Sequence, residues 1–358
     1  MGSSPGGVAN MATALARLGL RTSLAAAFGD DHYGEYCWDA LAQGEGIDLA
    51  PSRTVPGWHS PVTVSMAYEG SGRWSPTATN RPGGTGAGLP ARARAAVASL
   101  APGKRAPWIA EAARAGTRIF ADVGWDETGA WDLAKLPDLG HCEAFLPNAA
   151  EAMRYTGADC PRAAAHALTE HVPVAVVTLG ADGAYAVDRR TGESAEVPAI
   201  AVEALDPTGA GDVFVAGFVT ATLAGRPLAD RLALAGLTAA LSVQEFGGSL
   251  SAPGWSEIGA WWRRVQSVPG QSPRRCAGTA SSTASCPSGW TARGRCGGRC
   301  RRSGSGVRPD GGKPQPGSAS GGKTLRRCRW PVVLLTVRGR PQLRGRDEEE
   351  LQALSAGP

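Results

Sequence analysis

No stretch of 18 or more apolar residues occurs in this 358-residue chain, so no membrane-spanning helix is expected. The first residues, Met1 to Gly7, carry neither a basic segment nor an apolar one. That argues against a secretory leader and for a cytoplasmic protein. Aromatic residues make up only 6% of the chain, and none of the five histidines lies beyond Val265. Cysteine is present but not organised as a metal framework. Cys37, Cys142 and Cys160 are scattered singly, while Cys276, Cys286, Cys296, Cys300 and Cys328 fall near the end. Cys296 and Cys300 have no second close pair and no nearby histidine, which excludes the usual zinc knuckle.

What the chain does have is divided unevenly. Beyond Val265 stand 17 Lys and Arg against 5 Asp and Glu, leaving 20 against 27 before it. A mildly acidic body, 1–265, is thus joined to a basic tail, 266–358. The tail is rich in Arg, Gly, Ser and Pro without periodicity, a composition that reads as disordered. Its basicity could attract nucleic acid. With only Trp290 and Trp330 for stacking, a nucleic-acid partner is not expected. The abrupt switch suggests translation in a shifted frame of a GC-rich gene. On that view Pro331–Val337 is an apolar accident that promotes aggregation, and deletion beyond Val265 leaves the body's thermal transition unchanged.

The body's apolar content, within 42% overall, suffices for a core. Its pattern alternates between helix and strand. Helices are expected over 8–18, 33–43, 108–115, 151–155, 213–225, 228–245 and 255–265. Strands are expected over 20–28, 62–68, 118–123, 144–146, 172–178, 184–188 and 193–198. Residues 69–107, with their Gly-rich stretch and Ala/Arg run, show no clear strand. Strands separated by helices imply βα units, a mostly parallel sheet and ligands at the strand C-termini.

One stretch organises the rest: Asp206-Pro207-Thr208-Gly209-Ala210-Gly211-Asp212, followed at once by the apolar run from Val213. Gly209, Ala210 and Gly211 leave backbone N–H groups uncovered at a helix N-terminus, an anion site. Asp212, in the first turn, suits a base for a hydroxyl that attacks a phosphoryl group. The same residues would also serve as a tight turn and ordinary helix start. With Ala216-Gly217-Phe218-Val219 added, the string resembles the C-terminal signature of the PfkB, or ribokinase-like, family of carbohydrate kinases. Gly6-Gly7, Asn10, Ala12, Gly19 and Gly29 resemble its N-terminal signature, with Val8 where Gly, Ala or Pro is preferred. Asn148-Ala149-Ala150-Glu151 resembles the family's Asn-x-x-Glu motif, and is equally a helix cap.

The resemblance implies a three-layer α/β fold, a mostly parallel sheet flanked by helices, and a small lid, incomplete here. It implies ATP-dependent phosphorylation of a sugar or sugar-like alcohol. Asp212 would be the base, with Gly209, Ala210 and Gly211 holding the transferring group. Gly6, Gly7 and Asn10 would contact the acceptor. Asn148 and Glu151 would organise Mg²⁺ through water, and Thr178, Gly180 and Gly183 would border the nucleotide. Asp206, Thr208, Gly247 and Ser251 resemble a loop for a monovalent cation such as K⁺. A homodimer is an admissible assembly. The family also places a strand bearing a sugar-binding Asp before the Gly-Gly turn. Few residues precede that turn here, so a truncated, impaired remnant that binds nucleotide or sugar without turnover is the alternative expectation.

Overall fold

The computed structural model describes residues 4–68, 71–76, 93–124, 126, 129–267 and 334–338. Its elements run in the order α1 (Val8–Arg17), β1 (Arg21–Ala25), β2 (Ala27–Gly29), α2 (His32–Asp39), β3 (Arg53–Val55), β4 (Thr63–Tyr68), β5 (Ser71–Pro76), β6 (Ala95–Leu100), α3 (Pro107–Arg114) and β7 (Arg118–Val123). There follow β8 (Ala144–Phe145), α4 (Ala149–Thr156), α5 (Pro161–Leu168), β9 (Val174–Thr178), β10 (Ala184–Asp188), β11 (Glu193–Val197), α6 (Ala210–Leu223), α7 (Leu228–Ser242), α8 (Trp255–Ser267) and β12 (Leu334–Arg338).

Eight strands form one sheet in the order β1-β12-β6-β7-β8-β9-β10-β11. β1, β6, β7, β8, β9 and β11 share a direction, and only β10 and β12 oppose it. β2 with β3, and β4 with β5, make two separate ribbons.

Strand alternation builds the layers. In β7, Ile119, Ala121 and Val123 bury against one set of helices, which includes α3, α4 and α5. Phe120 buries on the opposite face with α1, α6 and α7. There it meets Phe218 edge to face at 6.3 Å. Helix α6 is buried continuously from Val213 to Leu223. A helix apolar all round belongs inside a protein, and here it lies between the sheet and neighbouring helices α1 and α7. Gly217 permits the crossing with α7: a Cβ there would stand 2.5 Å from Thr238 Oγ1 and 2.8 Å from Ala235 Cα.

The structure departs from sequence expectation at several places. The run 20–28 is two strands, β1 and β2, that join different sheets. The helix expected over 33–43 is α2 followed by a π-helical turn over Ala40–Gly44. Helix α5, with Pro161 in its first turn, lies where no helix is expected. The segment 69–107, in which the sequence shows no clear strand, contains two. β5 pairs with β4, and β6 lies near the middle of the main sheet. β6 reads Ala-Ala-Val-Ala-Ser-Leu, a composition poor in β-forming residues. Burial on both faces, with Ala95 and Val97 on one side and Ala96, Ala98 and Leu100 on the other, overrides that preference. Residues 69, 70 and 77–92 lie outside the described ones.

Helix α8 continues to Ser267. Leu334–Arg338, assigned to the tail as an apolar accident, is a strand inside the main sheet. A short apolar run can satisfy backbone groups between two strands wherever it lies in sequence. The Cys296–Cys300 pair and most of the basic tail lie outside the described residues.

Candidate active site

Three loops converge at the N-terminus of α6. The turn before it is shaped by Asp206, whose carboxylate accepts from Thr208 N at 3.0 Å and from Gly247 N at 3.3 Å. Burial alone would raise the Asp206 pKa, but hydrogen bonds from Thr208 and Gly247 outweigh it and hold the group below its usual range. Gly209 caps the helix in the left-handed region, at φ 78°. Val213 N closes the first turn on Gly209 O at 2.9 Å. First-turn N–H groups have no partner within a helix, so they stay available to an anion.

Asp212 sits in that first turn, partly open to solvent. Asn10 Nδ2 donates to its Oδ2 at 2.9 Å. Burial pushes the Asp212 carboxyl up to about 6, with the Asn10 hydrogen bond pulling the other way. Asn10 itself is buried in α1, and its Oδ1 is enclosed with no hydrogen-bond partner. A Cβ on Gly209 would lie 3.0 Å from Asn10 Nδ2, and one on Gly248 3.2 Å from Oδ1. The two glycines thus let Asn10 lie flat between the α6 turn and the turn at Gly247–Ser251. The N-terminal segment is tied to that turn by Ser249 Oγ, which donates to Pro5 O at 2.7 Å. Ser251 Oγ donates to Gly248 O at 2.7 Å. Gly7 caps α1 with φ 61°, and Asn10 N donates to Gly7 O at 3.0 Å. Gly6 is exposed beside it.

A second group lies at the ends of β8 and β9. Asn148 and Glu151 form a reciprocal cap: Glu151 N donates to Asn148 Oδ1, and Asn148 N to Glu151 Oε2, each at 3.0 Å. Glu151 is buried, and that burial raises its pKa against the opposing pull of Asn148. Asn148 also bridges to Thr178, at the end of β9. Gly180 and Gly183, both with positive φ, form the turn that follows. The helix-cap role and a ligand role are therefore not exclusive. The backbone cap engages one oxygen of each side chain, Asn148 Oδ1 and Glu151 Oε2.

One residue that sequence reading missed connects the two groups. Asp122, next to last in β7, lies on the same face as Phe120, the α6 side of the sheet. Its carboxyl accepts from Val123 N at 2.8 Å. Its pKa is raised well above the usual carboxylate range, by burial first and then by the negative charges of Asp212 and Glu151. The signal was present: an acidic residue at the C-terminal end of an otherwise apolar strand, where α/β sheets gather ligands.

The donors fit a nucleotide with its magnesium better than a metal held by protein alone. Among the described residues, no group of three His, Cys, Asp or Glu is placed to hold a metal ion. Magnesium usually keeps several waters and uses one or two carboxylates together with substrate phosphates. Glu151 can supply such a carboxylate, and the α6 N-terminus and the orphaned Asn10 Oδ1 supply polar groups for bound ligand or water. Chemically, the arrangement offers an anion site beside a carboxylate basic enough to take a proton near neutrality.

This site stands on a sheet and helix arrangement shared with known kinases. The pfkB family carbohydrate kinase domain matches residues 1–73 and 99–255. The chain belongs to the pfkB family of carbohydrate kinases. It is 29% identical over 259 residues to a ribokinase of Haemophilus influenzae, covering 68% of this chain and 82% of that protein. It is 29% identical over 266 residues to a nucleoside kinase of Methanothermobacter thermautotrophicus, covering 70% and 82% respectively. A fructokinase from Vibrio cholerae O395, solved with fructose, ADP and potassium ion, superposes with a TM-score of 0.60 at 22% identity, covering 72% of this chain and 90% of that one. The fold is ribokinase-like. No helix among the described residues is long and apolar enough to cross a membrane.

Proposed function

We propose that this protein transfers the terminal phosphoryl group of ATP to a hydroxyl of a sugar or sugar-like acceptor, with Asp212 as the general base. The observation that carries this reading is the Asp212 carboxyl. It lies in the first turn of α6, is raised to about 6 by burial, and is held by Asn10 at 2.9 Å. At neutral pH such a group is mostly ionised yet still takes a proton readily. Asp212 accepts the hydroxyl proton as the oxygen attacks. The N–H groups of Gly209, Ala210 and Gly211 stand at the positive end of α6, where negative charge on the phosphoryl oxygens is stabilised. Asn10 orients the base, and with Gly6 and Gly7 it borders the acceptor.

Bound ATP and Mg²⁺ supply the phosphoryl group and neutralise its charge. Asn148 and Glu151 would hold the hydrated metal, while Thr178, Gly180 and Gly183 border the nucleotide. Asp206, Thr208, Gly247 and Ser251 would hold a monovalent cation such as K⁺. The relatives named above include sugar and nucleoside kinases, so the acceptor belongs to that range. A coupled assay of ADP release across pentoses, hexoses and nucleosides, with and without K⁺, tests the reading. Saturable, acceptor-dependent release lost in Asp212→Asn is the expected result. Nucleotide binding without release under any acceptor would identify the non-catalytic alternative.

A further inference from the structure

We propose that Arg118, Arg190 and Arg231 form a second anion site, for a phosphate group, on the rim of the sheet opposite Asp212. Three elements bring them there. Arg118 opens β7, and Arg190 lies in the turn between β10 and β11, just after Asp188 at the end of β10. Because β10 runs antiparallel to β9, that end lies level with the start of β9, Asp188 opposite Val174. Arg231 stands near the start of α7, the helix that packs on β10 and β11. The C-terminus of α6 arrives at the same rim. Arg94 Nη2 donates to Leu223 O at 3.2 Å, and Arg118 Nη1 to Thr222 O at 3.5 Å. Asp212 lies in the first turn of that helix, whose 14 residues span about 21 Å.

The positive charge at this rim is not balanced from within. Arg118 Nη2 and Arg190 Nη1 share one carboxylate oxygen, Glu143 Oε1, at 2.6 and 3.0 Å. Arg190 also forks onto Asp188, at 3.1 and 2.9 Å. Arg226 and Asp230 pair with each other at 3.5 Å. Arg231 is the group left over. Its Nε donates to Arg226 O at 2.7 Å, and among the described residues its Nη groups have no hydrogen-bond or ion-pair partner. Burial, and next the Arg118 charge, push its pKa below the usual guanidinium range, with Arg190 adding to the fall and Asp188 and Glu143 opposing it. A guanidinium stays charged at neutral pH all the same. Arg94, Arg118, Arg190 and Arg231 thus gather around only two carboxylates, Glu143 and Asp188. A half-buried, unpaired guanidinium among like charges is costly, and an anion relieves that cost. A carboxylate presents two oxygens in one plane, which a single guanidinium fork satisfies. Guanidinium groups from three elements suit a tetrahedral phosphate, whose oxygens point in several directions.

Calorimetry on the full chain tests the site. Inorganic phosphate and, separately, glycerol phosphate are titrated at constant ionic strength, with and without a non-hydrolysable ATP analogue and Mg²⁺. Binding should persist when the analogue is present, since the analogue occupies the anion site at the start of α6. Arg231→Gln should weaken it about tenfold or more, the range for losing hydrogen bonds to a charged group. Arg231→Lys, which keeps the charge but loses the fork, should weaken it less, and carries the comparison should the glutamine variant not fold. Binding of inorganic phosphate alone would make the free ion the ligand, and binding of both would extend the site to phosphate monoesters; either result supports it. Binding that the analogue abolishes and Arg231→Gln leaves intact would assign the phosphate to the start of α6 and overturn the proposal. Equal affinity in wild type and variant would overturn it too, as would a wild-type protein that binds neither ligand.

Discussion

Asp212 is subject to opposing influences: burial raises its pKa and the Asn10 amide lowers it. Asp212→Asn should reduce kcat by about 10²- to 10⁴-fold, the range for losing a general base, while ATP binding measured by calorimetry changes little. The wild-type kcat/KM profile should fall as pH drops through about 6. Asn10→Ala removes the hydrogen bond that lowers the pKa, so the same limb should move to higher pH. A limb that stays in place would separate Asn10 from the base. The linkage sign also gives a stability prediction. A carboxyl raised in the folded state stabilises that state when protonated, fully below its unfolded value near 4, and the stabilisation is lost as pH rises through about 6. Asp212→Asn should therefore be more stable than wild type at pH 7, by about 1–2 kcal/mol after allowance for solvent screening. That advantage should vanish below pH 4 in denaturant titrations.

The helix termini are where local structure and chemistry meet. Gly209 adopts φ 78° with its backbone against Asn10. Gly209→Ala should cost about 1–2 kcal/mol for the left-handed conformation and shift Asn10, whose Nδ2 would be 3.0 Å from the new Cβ. Turnover should fall more than stability explains, which kcat measured alongside urea midpoints would reveal. At α4 the reciprocal cap allows a cleaner separation. Glu151→Gln retains an acceptor for Asn148 N but removes a buried charge, so its melting temperature should equal or exceed wild type. Its activity should nevertheless require more Mg²⁺. Unchanged Mg²⁺ dependence would leave Glu151 as a helix cap only. In both helices the residue that starts the element also faces the site, because α/β sheets bring helix N-termini and strand C-termini to one edge.

At the scale of the whole molecule, site and fold are coupled by mass action. A ligand that binds only the folded state stabilises it by about 2.7 kcal/mol at a hundred times its Kd. ATP with Mg²⁺ should therefore raise the melting temperature of the protein, and Asp212→Asn should keep that shift while losing turnover. A loss of both would mean that Asp212 supports nucleotide binding rather than proton transfer. The sheet adds a further dependence. Its core strands carry apolar residues on both faces, with Leu24, Ala95, Val97 and Phe120 on one side and Ala25, Ala96, Ala98 and Ala121 on the other. β12 pairs with β1 on one side and β6 on the other, so the sheet is continuous from β1 to β11.

Local features were legible in the chain itself. The Asp206–Asp212 string announced a turn and a helix start, since a left-handed glycine and an uncovered N-terminus need only neighbouring residues. The Asn148–Glu151 cap, the strand 118–123 and the hairpin 184–197 were readable for the same reason. Their periodicity and caps are set within a few residues. Other features required the tertiary fold. β6 is a strand because both its faces are buried, against the preference of an alanine-rich run. Asp122 feels the charges of Asp212, 90 positions away, and of Glu151, an influence that only the fold brings about. Asn10 proved to be a partner of Asp212 across 202 positions. Leu334–Arg338 pairs with β1 and β6, strands far away in sequence. Pairings of this kind are decided by what the folded interior must satisfy, and no local pattern encodes them.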